Sequence, residues 1–198
     1  MKTEIPISAE RMPVVAEAIR KAWPVSDASL SRLAACLSPR VFPKRHLLVA
    51  EGEAGGYAYF IERGMTRSYW IVDGQEITTS FSIDGAIVFS MDELYYGVAS
   101  EEYVEAVEPI NGFAIAVSDL RRLFAEDIDL ANWGRVIHQN EYRRLHRSHK
   151  ERLTLPARER YEEFARQFPE VCLRARLGDI ASYLGITPST LSRIRATR

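Results

Sequence analysis

The stretch LGDIASYLGITPSTLSRIRATR (Leu177–Arg198) decides the fold of the C-terminal part of the chain. Its apolar residues recur at helical spacing in two groups. The first group is Ile180, Ala181 and Leu184, and the second is Leu191 and Ile194. Gly185 stands between the groups, where the end of a helix often needs a left-handed backbone that glycine adopts without strain. The stretch therefore predicts two helices joined by a tight turn.

The start of the second predicted helix carries a surface suited to a DNA major groove. Thr187 is a good N-cap, and Pro188 fits the first helical position because its missing N–H costs nothing there. Arg193 could donate two hydrogen bonds to a guanine edge, and Ser189 and Thr187 could contact phosphate or base. The candidate DNA-binding residues are Thr187, Pro188, Ser189, Thr190, Ser192, Arg193 and Arg195. A helical hairpin that only closes a core is the alternative, and the cap together with the outward Arg and Ser favours DNA binding.

Charge is distributed unevenly along the 198 residues, of which 46% are hydrophobic and 27% charged. The formal net charge of −1 hides two opposite parts. Residues 135–198 hold 14 basic and 7 acidic residues, a charge of +7, whereas residues 1–134 hold 12 basic and 20 acidic residues, a charge of −8. This asymmetry favours a DNA-binding unit carried by an acidic sensor or dimerisation unit.

The composition also indicates a compartment. No run of apolar residues is long enough to span a membrane, and the N-terminal MKTEIPISAERMPVV lacks the apolar core of a signal peptide. Cys36 and Cys172 lie far apart and make no ligand pair. We therefore expect a cytoplasmic, reduced protein without contact to a membrane.

Regular turn signals dominate the chain between Val41 and about Val117. Glycines recur there at intervals of 10 to 15 residues, between short runs rich in β-branched and aromatic residues. These runs are Tyr57–Ile61, Thr66–Val72, Glu76–Ser82, Tyr103–Val107 and Phe113–Val117. Such spacing is typical of an antiparallel barrel or jelly roll, and Asp73-Gly74 predicts a hairpin within it. Two short helices are expected before the barrel, over Met12–Trp23 and after a Ser26 cap.

A long helix is predicted after the barrel, from about Asp129 to Leu153. Leu130, Trp133, Ile137 and Asn140 share a stripe near a 3.5-residue repeat, which predicts a dimer seam. Packing against its own barrel is the alternative, and the two are not exclusive. A further helix over Ala157–Phe168 follows, and the connector Pro169–Arg176 could hold a small β wing.

The order of these parts resembles the Crp/Fnr family of bacterial transcription regulators over nearly the whole chain. AEGEAGGYAYFIERGMTRSYW (Ala50–Trp70) is similar to the family's barrel segment, and IASYLGITPSTLSRIR (Ile180–Arg195) to its terminal motif. The resemblance implies an α+β fold: a cyclic-nucleotide-binding-like jelly roll with its N-terminal helices (1–128), a dimerisation helix (129–154) and a winged helix-turn-helix domain (155–198). It implies a homodimer on a two-fold symmetric operator, with recognition helices (Pro188–Ala196) roughly 34 Å apart.

The resemblance breaks down at the ligand. Members that bind cyclic AMP hold its phosphate with a Gly-Glu pair and a later Arg-Ser pair; here Phe89-Ser90 and Ser100-Glu101 stand at those places. The matching segment, residues 85–106, has five carboxylates and no Lys or Arg, so we predict that it does not bind cyclic AMP. The candidate pocket residues are Ser90, Met91, Tyr95, Ser100, Glu101 and Glu102. A cationic or neutral aromatic effector and an empty relic both remain open.

Enzymatic and metal functions find little support. A cupin-type enzyme needs a cluster of His and Glu on barrel strands, and His46 is the one histidine near them. Two cysteines cannot hold an iron–sulfur cluster, and His138, His146 and His149 lie among basic residues that repel a cation. We therefore predict a non-enzymatic, sequence-specific DNA-binding regulator without cofactor or metal, whose small-molecule effector, if any, is unknown. A signalling or protein-interaction module without specific DNA readout is the alternative.

Overall fold

Eight α-helices and eight β-strands form residues 7–197, the part of the chain that the computed structural model describes. Two helices, α1 (Pro13–Ala22) and α2 (Asp27–Ala35), precede the strands. The strands are β1 (Ser38–Phe42), β2 (Leu47–Val49), β3 (Tyr57–Arg63), β4 (Thr66–Val72), β5 (Gln75–Ser82), β6 (Ile87–Val88), β7 (Tyr103–Ala106) and β8 (Ile110–Ala116). The later helices are α3 (Val117–Glu126), α4 (Ile128–Thr154), α5 (Ala157–Gln167), α6 (Pro169–Arg174), α7 (Leu177–Leu184) and α8 (Pro188–Ala196). The first six residues and Arg198 lie outside the described part, and with them the start of the N-terminal segment and the end of the quoted stretch.

The strands form two four-stranded antiparallel sheets, in the orders β1-β8-β3-β6 and β2-β7-β4-β5. This arrangement confirms the predicted jelly roll. The sequence missed β1, β2 and β6, since β2 and β6 have only three and two residues and β1 contains Pro39. The predicted hairpin is present: Asp73 and Gly74 take φ values of 51° and 75°, and Val72 pairs with Gln75. A turn with two positive φ values matches the twist of the strands that it joins.

The first half of α4 is part of the core of its own chain. Asp127 caps the helix, and its carboxylate accepts from the amides of Asp129 and Leu130 at 3.0 and 3.2 Å. Leu130 is fully buried, and the ring of Trp133 stacks on Phe60 of β3 with centroids 5.9 Å apart. Burying such side chains against a barrel stabilises a domain by several kcal/mol. Leu130 and Trp133 are therefore core residues of this chain, which is the packing on its own barrel that the sequence left open as the alternative to a dimer seam.

The second half of α4 has a different exposed face. Ile137 packs against the core and Asn140 is exposed, so only Asn140 of the predicted seam lies free. Apolar side chains three and eight residues apart appear on the opposite side of the helix: Tyr142, Leu145 and Leu153 are exposed by 72%, 47% and 72%. We call these three residues the outer stripe of α4. The outer stripe lies on a different face from the seam that the sequence predicts, and which of the two faces forms a dimer stays a prediction.

The C-terminal helices confirm the predicted helix-turn-helix, with bounds Leu177–Leu184 and Pro188–Ala196. The predicted wing is absent from the described residues, where no strand follows β8. The connector instead forms α6, because Pro169 fits the first turn of a helix and Val171 buries its side chain in the local core. Ile180, Ala181, Leu184 and Leu191 join Met65 and Val107 of the barrel in one hydrophobic cluster. The helix-turn-helix therefore packs directly on the barrel.

Candidate nucleic-acid interface

The turn between α7 and α8 is held by backbone and side-chain hydrogen bonds. Gly185 adopts φ 66°, and the amide of Ile186 donates to the carbonyl of Ala181 at 3.0 Å. Thr187 then caps α8, because its hydroxyl accepts from the amide of Thr190 at 3.2 Å. These contacts fix the angle between the helices, which sets how α8 is presented.

The outer surface of α8 is open. Six of the seven predicted DNA-binding residues are exposed, and the seventh, Thr190, is partly buried. Arg193 makes one weak contact, from Nε to the carbonyl of Ser189 at 3.4 Å. Neither Arg193 nor Arg195 forms an ion pair within residues 7–197. Two exposed cations that form no ion pair in this part of the chain can approach a polyanion at little cost in desolvation or lost contacts.

The opposite side of the helix-turn-helix packs on the barrel, where it contacts a buried arginine. The side chain of Arg67 on β4 is only 4% exposed. Its guanidinium contacts Asp179 of α7 at 3.0 Å and Glu105 of β7 at 2.9 Å, and it also binds Glu76 of β5. Burial raises the pKa of Asp179, and the nearby Arg67 partly opposes that shift. One cation thus holds three carboxylates, one of which belongs to the helix-turn-helix.

Two further contacts fix the same junction. The hydroxyl of Ser182 in α7 accepts from the amide of Thr78 and donates to the carbonyl of Glu76, both at 2.9 Å. Arg174 of α6 binds Asp84 at 3.1 Å and also contacts Glu108, and both carboxylates lie in loops of the barrel. No local pattern points to Arg67 or Arg174, since the partners that they bind across this junction, Asp179, Asp84 and Glu108, lie 66 to 112 residues away.

Polar groups of the cassette segment (residues 85–106) form hydrogen bonds within this segment and to residues next to it in the fold. The carboxylate of Glu93 accepts from the amide of Gly56 at 2.6 Å, and Asp92 accepts from the amide of Glu101 at 3.0 Å. Arg121 of α3 donates to the carbonyl of Leu94 at 2.7 Å and so holds the π-helical turn Asp92–Tyr96 in place. Backbone amides of the kind that would bind a phosphate therefore already donate hydrogen bonds to carboxylates of this chain.

The predicted pocket residues do lie in one region, but they differ in access. Ser90 and Ser100 are buried, whereas Met91, Tyr95 and Glu101 are exposed. The hydroxyl of Tyr95 lies 3.0 Å from Nε2 of His138, which links the cassette segment to α4. The pKa of Glu102 is raised to about 7, chiefly by burial and further by Asp92 and Glu141. The region therefore disfavours added negative charge.

Known structures share this fold. No family model and no curated protein matches the sequence. FixK2 from Bradyrhizobium japonicum matches with a TM-score of 0.72 and 22% identity, over 81% of this chain and 83% of that chain. A Crp/Fnr-family protein from Eubacterium rectale matches at 0.68 and 14%, over 89% and 87%. CLP, a c-di-GMP responsive global regulator from Xanthomonas campestris, matches at 0.66 and 15%, over 87% and 91%.

The Eubacterium rectale protein is described as a transcriptional regulator of the Crp/Fnr family, so the resemblance stated from the sequence is confirmed at the level of the fold. Among the described residues, no helix combines the length and the apolar character that crossing a bilayer requires. The chain has the fold of a Crp/Fnr regulator: a cyclic-nucleotide-binding-like jelly roll followed by a helical C-terminal region.

Proposed function

We propose that this chain is a sequence-specific DNA-binding transcription regulator of the Crp/Fnr type and not an enzyme, acting in the cytoplasm. It would be organised as a sensor unit (1–128), a dimerisation helix (129–154) and a DNA-binding unit (155–198). The observation that carries the proposal is the outer surface of α8, where a capped helix presents exposed hydroxyls and two arginines that form no ion pair with any described residue. The shared fold supports it.

Arg193 reads a base in this proposal, with Thr187 and Ser189 on phosphate or base edges. Selecting bound duplexes from random DNA with the purified protein would supply the operator. Arg193→Ala should then weaken binding to the selected duplex by about 1–3 kcal/mol and relax the preference at one position. Fluorescence anisotropy measures both effects.

Arg166→Ala is the matched control, because Arg166 is an exposed arginine on α5 that pairs with Glu163 away from α8. Its affinity for the selected duplex should stay near that of the wild type. If Arg193→Ala binds as tightly and as selectively as Arg166→Ala, the role given to Arg193 is wrong. If no duplex is enriched at all, the chain is an interaction module rather than a DNA reader.

A homodimer through the outer stripe of α4 is part of the proposal. Tyr142, Leu145 and Leu153 form an exposed apolar line along a helix, the pattern by which two such helices pair. Leu145→Glu should convert a dimer into a monomer in sedimentation velocity. Leu173→Glu on α6 is the control, since Leu173 is 86% exposed outside α4. A dimer that tolerates Leu145→Glu would place the interface elsewhere.

The effector is proposed not to be cyclic AMP. The cassette segment turns its own carboxylates to backbone amides and holds Glu102 partly buried, so a phosphodiester would meet like charge. Calorimetric titration of the wild-type protein with cyclic AMP should give no binding heat at micromolar concentrations. Saturable binding in that range would overturn this part of the proposal.

A further inference from the structure

A small, partly open cleft lies between the second half of α4 and the helices α5 and α7. Three arginines line it: Arg144 and Arg152 from α4 and Arg160 from α5. The aromatic residues of its wall are Phe164, Phe168 and Tyr183. Its one lining carboxylate, Glu151, pairs with Arg147 at 2.9 Å. The cleft is therefore positively charged and partly apolar.

Two of these arginines lack a carboxylate partner within residues 7–197. Arg160 donates from Nη1 to the carbonyl of Leu155 at 3.0 Å, while its Nε is buried and has no hydrogen-bond partner in that part of the chain. Arg152 donates to the carbonyl of Tyr183 and lies 5.6 Å from the centre of its ring. Leaving a charged donor buried and unpaired costs free energy that an anionic oxygen would recover.

Hydroxyl groups complete the lining. Arg144 donates to the Tyr183 hydroxyl at 3.0 Å, although it also pairs with Glu141. The Tyr183 hydroxyl donates in turn to Ser148 at 3.3 Å. Guanidinium forks and hydroxyls are the donors that bind tetrahedral oxyanions.

We propose that this cleft binds a small phosphate-bearing anion, held chiefly by Arg152 and Arg160. The site would join α4 to two helices of the DNA-binding unit, so a bound anion would fix their relative position. The proposal does not depend on Arg193 or on the identity of the operator.

Inorganic phosphate is the probe. Calorimetry at constant ionic strength in chloride buffer should give saturable binding to the wild-type protein. Arg160→Gln and Arg152→Gln should each weaken it at least about tenfold, the loss expected for a charge-assisted hydrogen bond. Arg166→Gln is the control on α5, since Arg166 does not line the cleft, and it should bind phosphate like the wild type.

Circular dichroism tests whether each variant is folded. If Arg160→Gln does not fold, the phosphate affinity of Arg152→Gln tests the proposal, because Arg152 is exposed and its replacement should leave the fold intact. Unchanged phosphate affinity in a folded cleft variant would overturn the proposal, and so would the absence of any heat beyond that of chloride. Stoichiometric displacement of phosphate by a random duplex would assign these arginines to the DNA backbone and would also overturn it. A negative result here leaves the Arg193 test untouched.

Discussion

Charged side chains have opposite surroundings in the barrel and on α8. In the barrel, Arg67 is surrounded by three carboxylates and Glu93 accepts from the amide of Gly56. On the outer surface of α8, Arg193 and Arg195 are exposed and have no ion pair within residues 7–197. The barrel therefore compensates its charges internally, whereas α8 leaves its cations available to a partner.

This difference gives the arginines of the two regions different roles: Arg67 stabilises the fold, whereas those of α8 are free to bind a partner. A buried arginine with several carboxylates fixes one geometry, because losing any contact leaves a charge without compensation. An exposed arginine contributes little to stability and can lose its solvent at small cost when a polyanion arrives. The two regions meet at α7, whose Asp179 binds Arg67 while its other end leads into α8.

The largest effect is expected from Arg67→Met, which removes the internal compensation of the barrel. Three carboxylates would lose their shared cation, one of them on α7. We expect a loss of about 3–5 kcal/mol in the free energy of unfolding, the cost of breaking a buried ion pair. Urea unfolding at neutral pH measures it.

Arg166→Met is the matched control, because the side chain of Arg166 is 64% exposed and its pair with Glu163 lies on the surface. We expect a loss below about 1 kcal/mol for that variant. Equal losses for Arg67→Met and Arg166→Met would show that the buried network does not hold the junction.

A smaller effect, dependent on pH, is expected from Glu102→Gln in the cassette segment. Burial raises the pKa of Glu102 to about 7 in the folded chain, above the ordinary value of 4.5 for a glutamate. The fold therefore favours the protonated form, and its stability falls as the pH rises from about 4.5 through 7. The amide mimics the protonated carboxyl, so the variant should be more stable than the wild type by about 1–2 kcal/mol at pH 8. Near pH 4.5 the two should be nearly equal.

Thermal unfolding at several pH values compares this variant with Glu101→Gln. Glu101 is the exposed neighbour of Glu102, so its neutralisation should give no comparable gain at high pH. A gain for Glu102→Gln that is the same at pH 4.5 and pH 8 would mean that Glu102 carries no unfavourable charge in the folded cassette segment.

Local signals explain what the sequence predicted well. The apolar spacing, Gly185, Thr187 and Pro188 act within one or two turns of helix, and they predicted the two helices α7 and α8 with the turn between them. Asp73-Gly74 likewise fixed its hairpin, and β4 was predicted with its observed ends. Capping and turn chemistry depend on neighbouring residues, so one chain is enough to recognise them.

Distant packing explains what the sequence missed. Leu130 and Trp133 have the spacing of a helix seam, but which surface covers them depends on Phe60, far away along the chain. The role of Arg67 depends on Asp179, 112 residues later. The connector predicted to hold a wing formed α6, since burial of Val171 decided its structure. None of these partners can be identified from periodicity alone.

The salt dependence of DNA binding tests the contrast between the two regions most directly. The affinity of the wild-type protein for its selected duplex would be measured by anisotropy between about 50 and 200 mM salt. If the free cations of the DNA-binding unit meet phosphates, log affinity should fall linearly with log salt concentration, by about a thousandfold over this range for a regulator with several phosphate contacts. An affinity that does not change with salt, or no binding at 50 mM, would contradict the account.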